Sequence, residues 1–416
     1  MLYYFVKIMM RGALGMFFEK ISARNLDNIP QSGAALLIAN HPSSLMDAAL
    51  LGILIKRPIH FFARGDIFIH PLVARVLNAL HMHPVHHHQG GRQTLGANKE
   101  SFKKAIELLS AGELVLFFPE GSSHIEYSLH PFRKGAFRIA FQTISLNPGL
   151  TLPIIPIGIN YSHPTNLFSR VWVQAGPALI TNDLLDTYQH HPTIALKQLT
   201  QRCYHAVQNL AIDSRHLSPR ILFLALDTWR QSNYAASFSS THQIEAETAI
   251  SNAYPIWWQQ AEEPLKHYED LLLQAGCTPA TIGASALPKT SVMPLIIGFP
   301  AAIIGWLLNA LPLILARHIA DQIVKRIDFY SWILVSSSAI LWLCWLIFMA
   351  ILSFSFLPSW EAIAILFISI STGQYCWNYF AYYQKWKAGQ AAKKLPTTEL
   401  TNLQLACEKV LAAIQE

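Results

Sequence analysis

The chain has 416 residues, of which 52% are hydrophobic and only 13% charged. Ordinary soluble domains carry about 25% charged residues, so a purely soluble chain is excluded as the simplest reading. The net charge of +6 suits anionic surfaces or substrates, but no basic stripe with interleaved aromatics is present, which argues against nucleic acid.

In chain order, residues 1–22 alternate apolar residues with Lys7, Arg11, Glu19 and Lys20. That pattern predicts an amphipathic helix at a membrane surface rather than a signal peptide; an ordinary packed helix is the rival reading. A turn-rich bridge over 25–33 leads to a predicted strand, Ala34–Ala39, which stops at Asn40-His41-Pro42-Ser43-Ser44 before a helix from about 44 to 55. Further strands are predicted over 59–63, 114–118, 152–161 and 171–175, with helices over 71–80, 98–110 and 132–145. Near-continuous apolar strands between helices indicate an α/β sheet covered on both faces, a domain spanning 23–215.

Residues 216–290 hold helical patterns broken by Ser- and Pro-rich pieces and read as a helical accessory region. The excess hydrophobicity concentrates in a membrane segment, 291–384. Phe329–Leu357 and Trp360–Tyr383 are each long enough for a spanning helix, which takes about 20 residues. Basic residues flank that hairpin on both sides (Arg317, Lys325 and Arg326; Lys385, Lys387, Lys393 and Lys394), which places both ends on the cytoplasmic face. Residues 292–316 are interrupted by Pro294, Pro300, Pro312 and Asn309 and read as re-entrant or interfacial. Residues 385–416 read as a cytosolic tail with a short amphipathic helix. The five cysteines are dispersed and imply neither a disulfide framework nor a zinc site.

Two polar blocks carry the chemistry. Activating a hydroxyl needs a base beside it and a group that orients the base. His41 is the candidate base. Asp47, six residues on, is too far for a neighbour on one helical face. His41 is therefore expected in the loop and Asp47 in the first turns of the following helix; a simple helix-capping turn is the bland alternative. In the second block a strand ends at Pro119-Glu120-Gly121-Ser122-Ser123-His124. Glu120 and Gly121, with Ser122, are read as holding the acceptor. The histidines at 81, 83, 86, 87 and 88 invite a metal, but no carboxylate or cysteine is interleaved at ligand spacing, and none is expected.

With these residues in hand, the stretch from about 20 to 215 resembles the glycerol-3-phosphate and lysophosphatidate acyltransferase superfamily. That family's first motif pairs a His with an Asp separated by four residues in its common form. Five residues intervene here, as in a branch resembling glycerol-3-phosphate or dihydroxyacetone-phosphate acyltransferases. Phe118–Gly121 matches the third motif, and Pro153-Ile154-Ile155-Pro156 the fourth. Met82–His87 stands in place of the second motif, whose phosphate-holding Arg is replaced by His87, with Arg92 the nearest guanidinium. Arg64, Arg133 and Lys134 are candidate replacements, because a neutral imidazole is a poor substitute for a guanidinium. The resemblance implies an integral membrane O-acyltransferase of phospholipid biosynthesis with its domain on the cytoplasmic face. It would use acyl-CoA or acyl-carrier protein as co-substrate, with no cofactor, and membrane lipids as partners. A non-phosphate acceptor (an aminolipid or a fatty alcohol) and a catalytically silent lipid-binding protein are the alternatives.

Overall fold

The structure, a computed structural model, describes residues 2–85, 92–125, 128–167, 169–212, 219–232, 254–286 and 291–415. The chain divides into two units, one comprising residues 1–213 with 326–332, the other residues 214–325 with 333–416.

The first unit is built on an eight-stranded sheet of order β1-β7-β6-β2-β5-β3-β4, with β8 beside β6. The strands are β1 (Lys20–Arg24), β2 (Ala35–Ala39), β3 (His60–Arg64), β4 (Met82–Val85), β5 (Leu114–Phe117), β6 (Pro153–Tyr161), β7 (Arg170–Ala175) and β8 (Leu179–Ile180). All pairings are parallel except those of β6 with β7 and β8. β2 is buried along its whole length, as expected of a central strand covered on both faces. β1 and β4 are strands that the periodicity did not announce. Each is short and half-polar, and each forms only because an edge of the sheet accepts it.

β6 contains Pro153 and Pro156, which a central strand ordinarily excludes. Pro156 falls where the pairing of β6 changes from β8 (Pro153, Ile154) to β7 (from Ile157 on), and its carbonyl accepts the Gly176 N–H at 2.8 Å. A residue without an N–H is harmless at that break.

Helices α1 (Leu2–Phe17), α2 (Leu45–Leu54), α3 (Pro71–Ala79), α4 (Arg92–Ser110), α5 (Gly135–Leu146), α6 (Leu185–His190) and α7 (Pro192–Gln208) complete the unit. Phe137, Ile139, Ala140 and Phe141 of α5 pack with Leu36 and Ile38 of β2 and Leu199 and Cys203 of α7 in its core. α1 buries Tyr3, Leu14 and Phe17. Its Lys7 and Arg11 donate to the carbonyls of Ile55 and Ile53 at the end of α2, at 2.5 and 2.8 Å. Cations at a helix C-terminus are favourable for the helix dipole and its unpaired carbonyls. Tyr4, Phe5 and Ile8 are left exposed.

In the second unit, helix Thr397–Gln415 packs along helix Tyr254–Gln274, burying Leu403, Ala406 and Val410 and, on the other side, Ala261, Leu265 and Tyr268. The C-terminal tail is thus joined to the accessory helices rather than standing apart. The apolar stretches form long helices. The segment read as re-entrant, 292–316, is one unbroken helix, Met293–Ile323, with Pro300 and Pro312 inside it. Close packing explains its tolerance of proline. The small faces of Gly298 and Gly305 lie against Tyr375 and the Thr372 carbonyl, and Asn309 is buried and donates to the carbonyls of Gly305 and Ser369 at 2.9 and 3.1 Å. Among the described residues the two helices with the length and hydropathy of a span are Met293–Ile323 and Ile327–Phe356, at mean hydropathies of 1.9 and 2.3. Helix Ser359–Lys394, expected to span over 360–383, is not one of them; Ser369, Ser371, Thr372 and Asn378 dilute it.

Candidate active site

β2 and β5 are parallel neighbours, with Ile38 opposite Phe117. Their C-terminal ends therefore deliver the two polar blocks side by side, at the carboxyl edge of the sheet where open α/β folds bind ligands. Asn40 fixes the first block. Its buried amide donates to the Ile159 carbonyl at 2.9 Å and accepts the Ile159 N–H at 2.7 Å, extending the β2–β6 pairing by one side chain.

His41 follows in the loop, and Asp47 lies in the first turn of α2. Nδ1 of His41 is 2.8 Å from Oδ2 of Asp47. Asp47 is fully buried, and its carboxylate also accepts the Ser43 N–H at 2.8 Å and the Tyr161 hydroxyl at 2.6 Å. Three donors on a buried carboxylate hold it in place. With Nδ1 donating to Asp47, Nε2 is the acceptor of the ring. The imidazole stacks on Phe118, with centroids 3.9 Å apart and planes within 9°. The turn between the two residues is strained: Ser44 adopts φ 48°, a region a residue with a Cβ occupies at a cost of 1–3 kcal/mol or so. Sequence reasoning missed Asn40, Tyr161 and Phe118. Tyr161 is 114 residues from Asp47, and nothing in its local pattern marks it.

The second block places Glu120 against backbone N–H groups. Its Oε1 accepts the backbone N–H of His41 at 2.8 Å and its Oε2 accepts that of His130 at 3.1 Å. Glu120 is buried; it is not among the residues lining the large cavity beside His41, but it lines a small pocket there. Its two bonds brace the histidine loop. Gly121 does line the large cavity. Its φ of +79° favours glycine, and an added Cβ would lie 2.6 Å from Nε of Arg133, which would have to shift. Ser122 is hydrogen-bonded to His124 Nε2 at 2.7 Å.

The cavity has a volume of about 1480 Å³ and is lined by His41, Gly121, Ser122, Phe61, Phe62 and Phe118, among others. Its cations are Arg64, Lys99, Lys103, Arg133, Lys134, Arg138 and, from far along the chain, Arg326; its carboxylates are Asp66 and Glu107. Such an excess of positive charge in a concave site favours an anionic ligand. Of the predicted cations, Arg64, Arg133 and Lys134 are brought to this cavity, although Arg64 is also paired with Asp66 at 2.5 Å. The backbone of Arg92 opens α4. His87 lies outside the described residues.

On β3 and the edge strand β4, His60 Nδ1 and His83 Nε2 are 3.0 Å apart. Burial, followed by the charges of neighbouring histidines and Lys104, pushes both imidazoles down to about 4, so both are neutral at physiological pH. Among the described residues no group of three or more His, Cys, Asp or Glu is arranged to hold a metal ion.

Residues 20–160, which contain both blocks, match the family model described as Acyltransferase. That region, about a third of the chain, is similar to this family. A 1-acyl-sn-glycerol-3-phosphate acyltransferase of Arabidopsis thaliana chloroplasts is 31% identical over 127 residues, 30% of this chain and 34% of its own. Glycerol-3-phosphate O-acyltransferase 1 of Saccharomyces cerevisiae is 30% identical over 27% of this chain and 15% of its own. The 1-acyl-sn-glycerol-3-phosphate acyltransferase of Bacillus subtilis is 28% identical over 29% of this chain and 56% of its own. The matches thus cover less than two thirds of each relative. A crystal structure of the 1-acyl-sn-glycerophosphate acyltransferase of Thermotoga maritima overlaps 49% of this chain and 78% of its own at 19% identity and a TM-score of 0.36.

Proposed function

We propose that the acyltransferase domain moves a fatty acyl group from a thioester, acyl-CoA or acyl-carrier protein, to a hydroxyl of glycerol 3-phosphate or a lysophospholipid. The observation that carries this reading is the His41–Asp47 pair on the wall of a large cationic cavity. The acceptor hydroxyl gives its proton to Nε2 of His41 as its oxygen attacks the thioester carbonyl. Asp47 holds the Nδ1 proton, fixes the tautomer and stabilises the imidazolium, with the substrate hydroxyl standing where a serine stands in hydrolytic triads. The tetrahedral intermediate collapses with cleavage of the C–S bond. The thiolate leaves and takes the proton that His41 received from the acceptor. No covalent enzyme intermediate is needed. Arg133 and Lys134 beside Gly121 hold the acceptor phosphate, with Arg64 at the rim.

On the same reading the protein is anchored at a membrane through its apolar helices, with the acyltransferase domain on the cytoplasmic face, where acyl thioesters are found. This is also the side predicted by the basic flanks of the apolar stretches. An assay of the full chain in detergent with labelled acyl-CoA or acyl-carrier protein tests the chemistry. The acceptors would be glycerol 3-phosphate, lysophosphatidate and phosphate-free alcohols. His41→Ala is expected to lose about 10²–10⁴-fold in rate, the usual contribution of a positioned general base. Transfer that persists undiminished in that variant refutes the mechanism.

A further inference from the structure

The segment joining the two most apolar helices, residues 326–332, belongs to the first unit, and its side chains enter the site. Asp328 is buried and accepts the Ser123 hydroxyl at 2.5 Å. It also holds Arg326 in a fork, with Nε to Oδ1 at 3.1 Å and Nη2 to Oδ2 at 2.9 Å. The second proton of Nη2 goes to the Ser123 carbonyl at 3.2 Å. The Phe329 ring lies 5.4 Å from the guanidinium carbon, and Ser331 ties the segment to the Pro164 carbonyl.

The guanidinium is therefore fixed in position and plane. Nη1 alone has no partner among the described residues, and the side chain, 48% exposed, lines the same cavity as His41. A residue serving only to latch two segments together would spend its donors on the latch and gain nothing from a half-exposed Nη1. Because Asp328 offsets most of its charge, Arg326 contributes directed donors more than field. Paired N–H groups in a rigid plane match a phosphate oxygen.

The geometry points to Arg326 as a ligand for a substrate phosphate oxyanion, with Asp328 as its positioning residue. Arg326 lies outside the stretch that matches the acyltransferase family, so the site is completed by the chain between the apolar helices. The inference rests on the proposed acyl transfer only for the source of the phosphate, which is the acceptor headgroup or the thioester carrier.

Binding measured on the full chain in detergent decides it, with lysophosphatidate, monoacylglycerol of the same acyl chain, and coenzyme A as probes. Arg326→Gln is expected to weaken lysophosphatidate or coenzyme A about tenfold or more, as loss of a charge-assisted bond does, and to leave monoacylglycerol unchanged. Arg326→Lys should recover part of that loss. Selective loss of lysophosphatidate assigns the acceptor phosphate, and selective loss of coenzyme A the carrier phosphate. Unchanged binding of all three probes overturns the inference. So does an equal loss of all three, which marks a structural latch. Binding is read without turnover. A wild-type protein that binds lysophosphatidate and transfers no acyl group refutes the catalytic reading while Arg326 is still decided.

Discussion

Tyr161→Phe isolates the group that holds Asp47 in place. The tyrosine hydroxyl donates to Asp47 Oδ1 at 2.6 Å, and the two side chains are 1% and 0% exposed, so no water takes over when the hydroxyl is removed. The carboxylate then keeps two of its three donors, the Ser43 N–H and the His41 ring. A hydrogen bond to a charged acceptor contributes about 1.5–3 kcal/mol. For a domain of some 200 residues that corresponds to a melting point lower by roughly 3–12 °C. Tyr161 does not line the cavity, so the kinetic effect should fall on kcat and leave KM alone. A loss on the order of tenfold corresponds to ~1.4 kcal/mol of weakened orientation of His41 through Asp47. Thermal unfolding of the full chain in detergent and steady-state acyl transfer read the two effects. An unchanged melting point with unchanged kcat refutes the reasoning. So does a raised KM at constant kcat, which would place Tyr161 against substrate.

Gly121→Ala forces a Cβ into a left-handed backbone and against Arg133. We expect about 1–2 kcal/mol of destabilisation and a raised KM for phosphate-bearing acceptors, and unchanged KM refutes the placement of Arg133. The His60–His83 pair gives a pH dependence. Both imidazoles stand near 4 in the fold against about 6.5 when unfolded. Between those values the unfolded chain binds more protons, so the stability is complete above pH 6.5 and is lost as pH falls towards 4. Partial exposure and mutual coupling hold the effect to the order of 3 kcal/mol for the pair. Melting points taken across that range should show His83→Gln with a shallower slope than wild type; equal slopes refute the assignment.

Much of the first unit is decided by local rules that can be read directly. Apolar runs of strand length separated by amphipathic helices lead to a covered parallel sheet, and a strand that ends in Asn-His-Pro or Pro-Glu-Gly must present those groups in a loop. The chemistry of His41 and Asp47 follows from residue type and a spacing that forbids one helical face. Pairing of distant strands is not a local property. That β2 and β5 are neighbours, which sets His41 beside Gly121, depends on burial of both faces by helices far apart in sequence. Glu120 illustrates the limit. Its residue type fits either substrate or backbone, and only the fold brings the His41 and His130 N–H groups to it. Tyr161 and Arg326 act across 114 and about 200 residues of chain, to Asp47 and Ser123, and no periodicity or motif encodes such a contact. The prolines of helix Met293–Ile323 are a similar case. Their cost is local and visible, whereas the packing of Gly298, Gly305 and Asn309 that offsets it is tertiary.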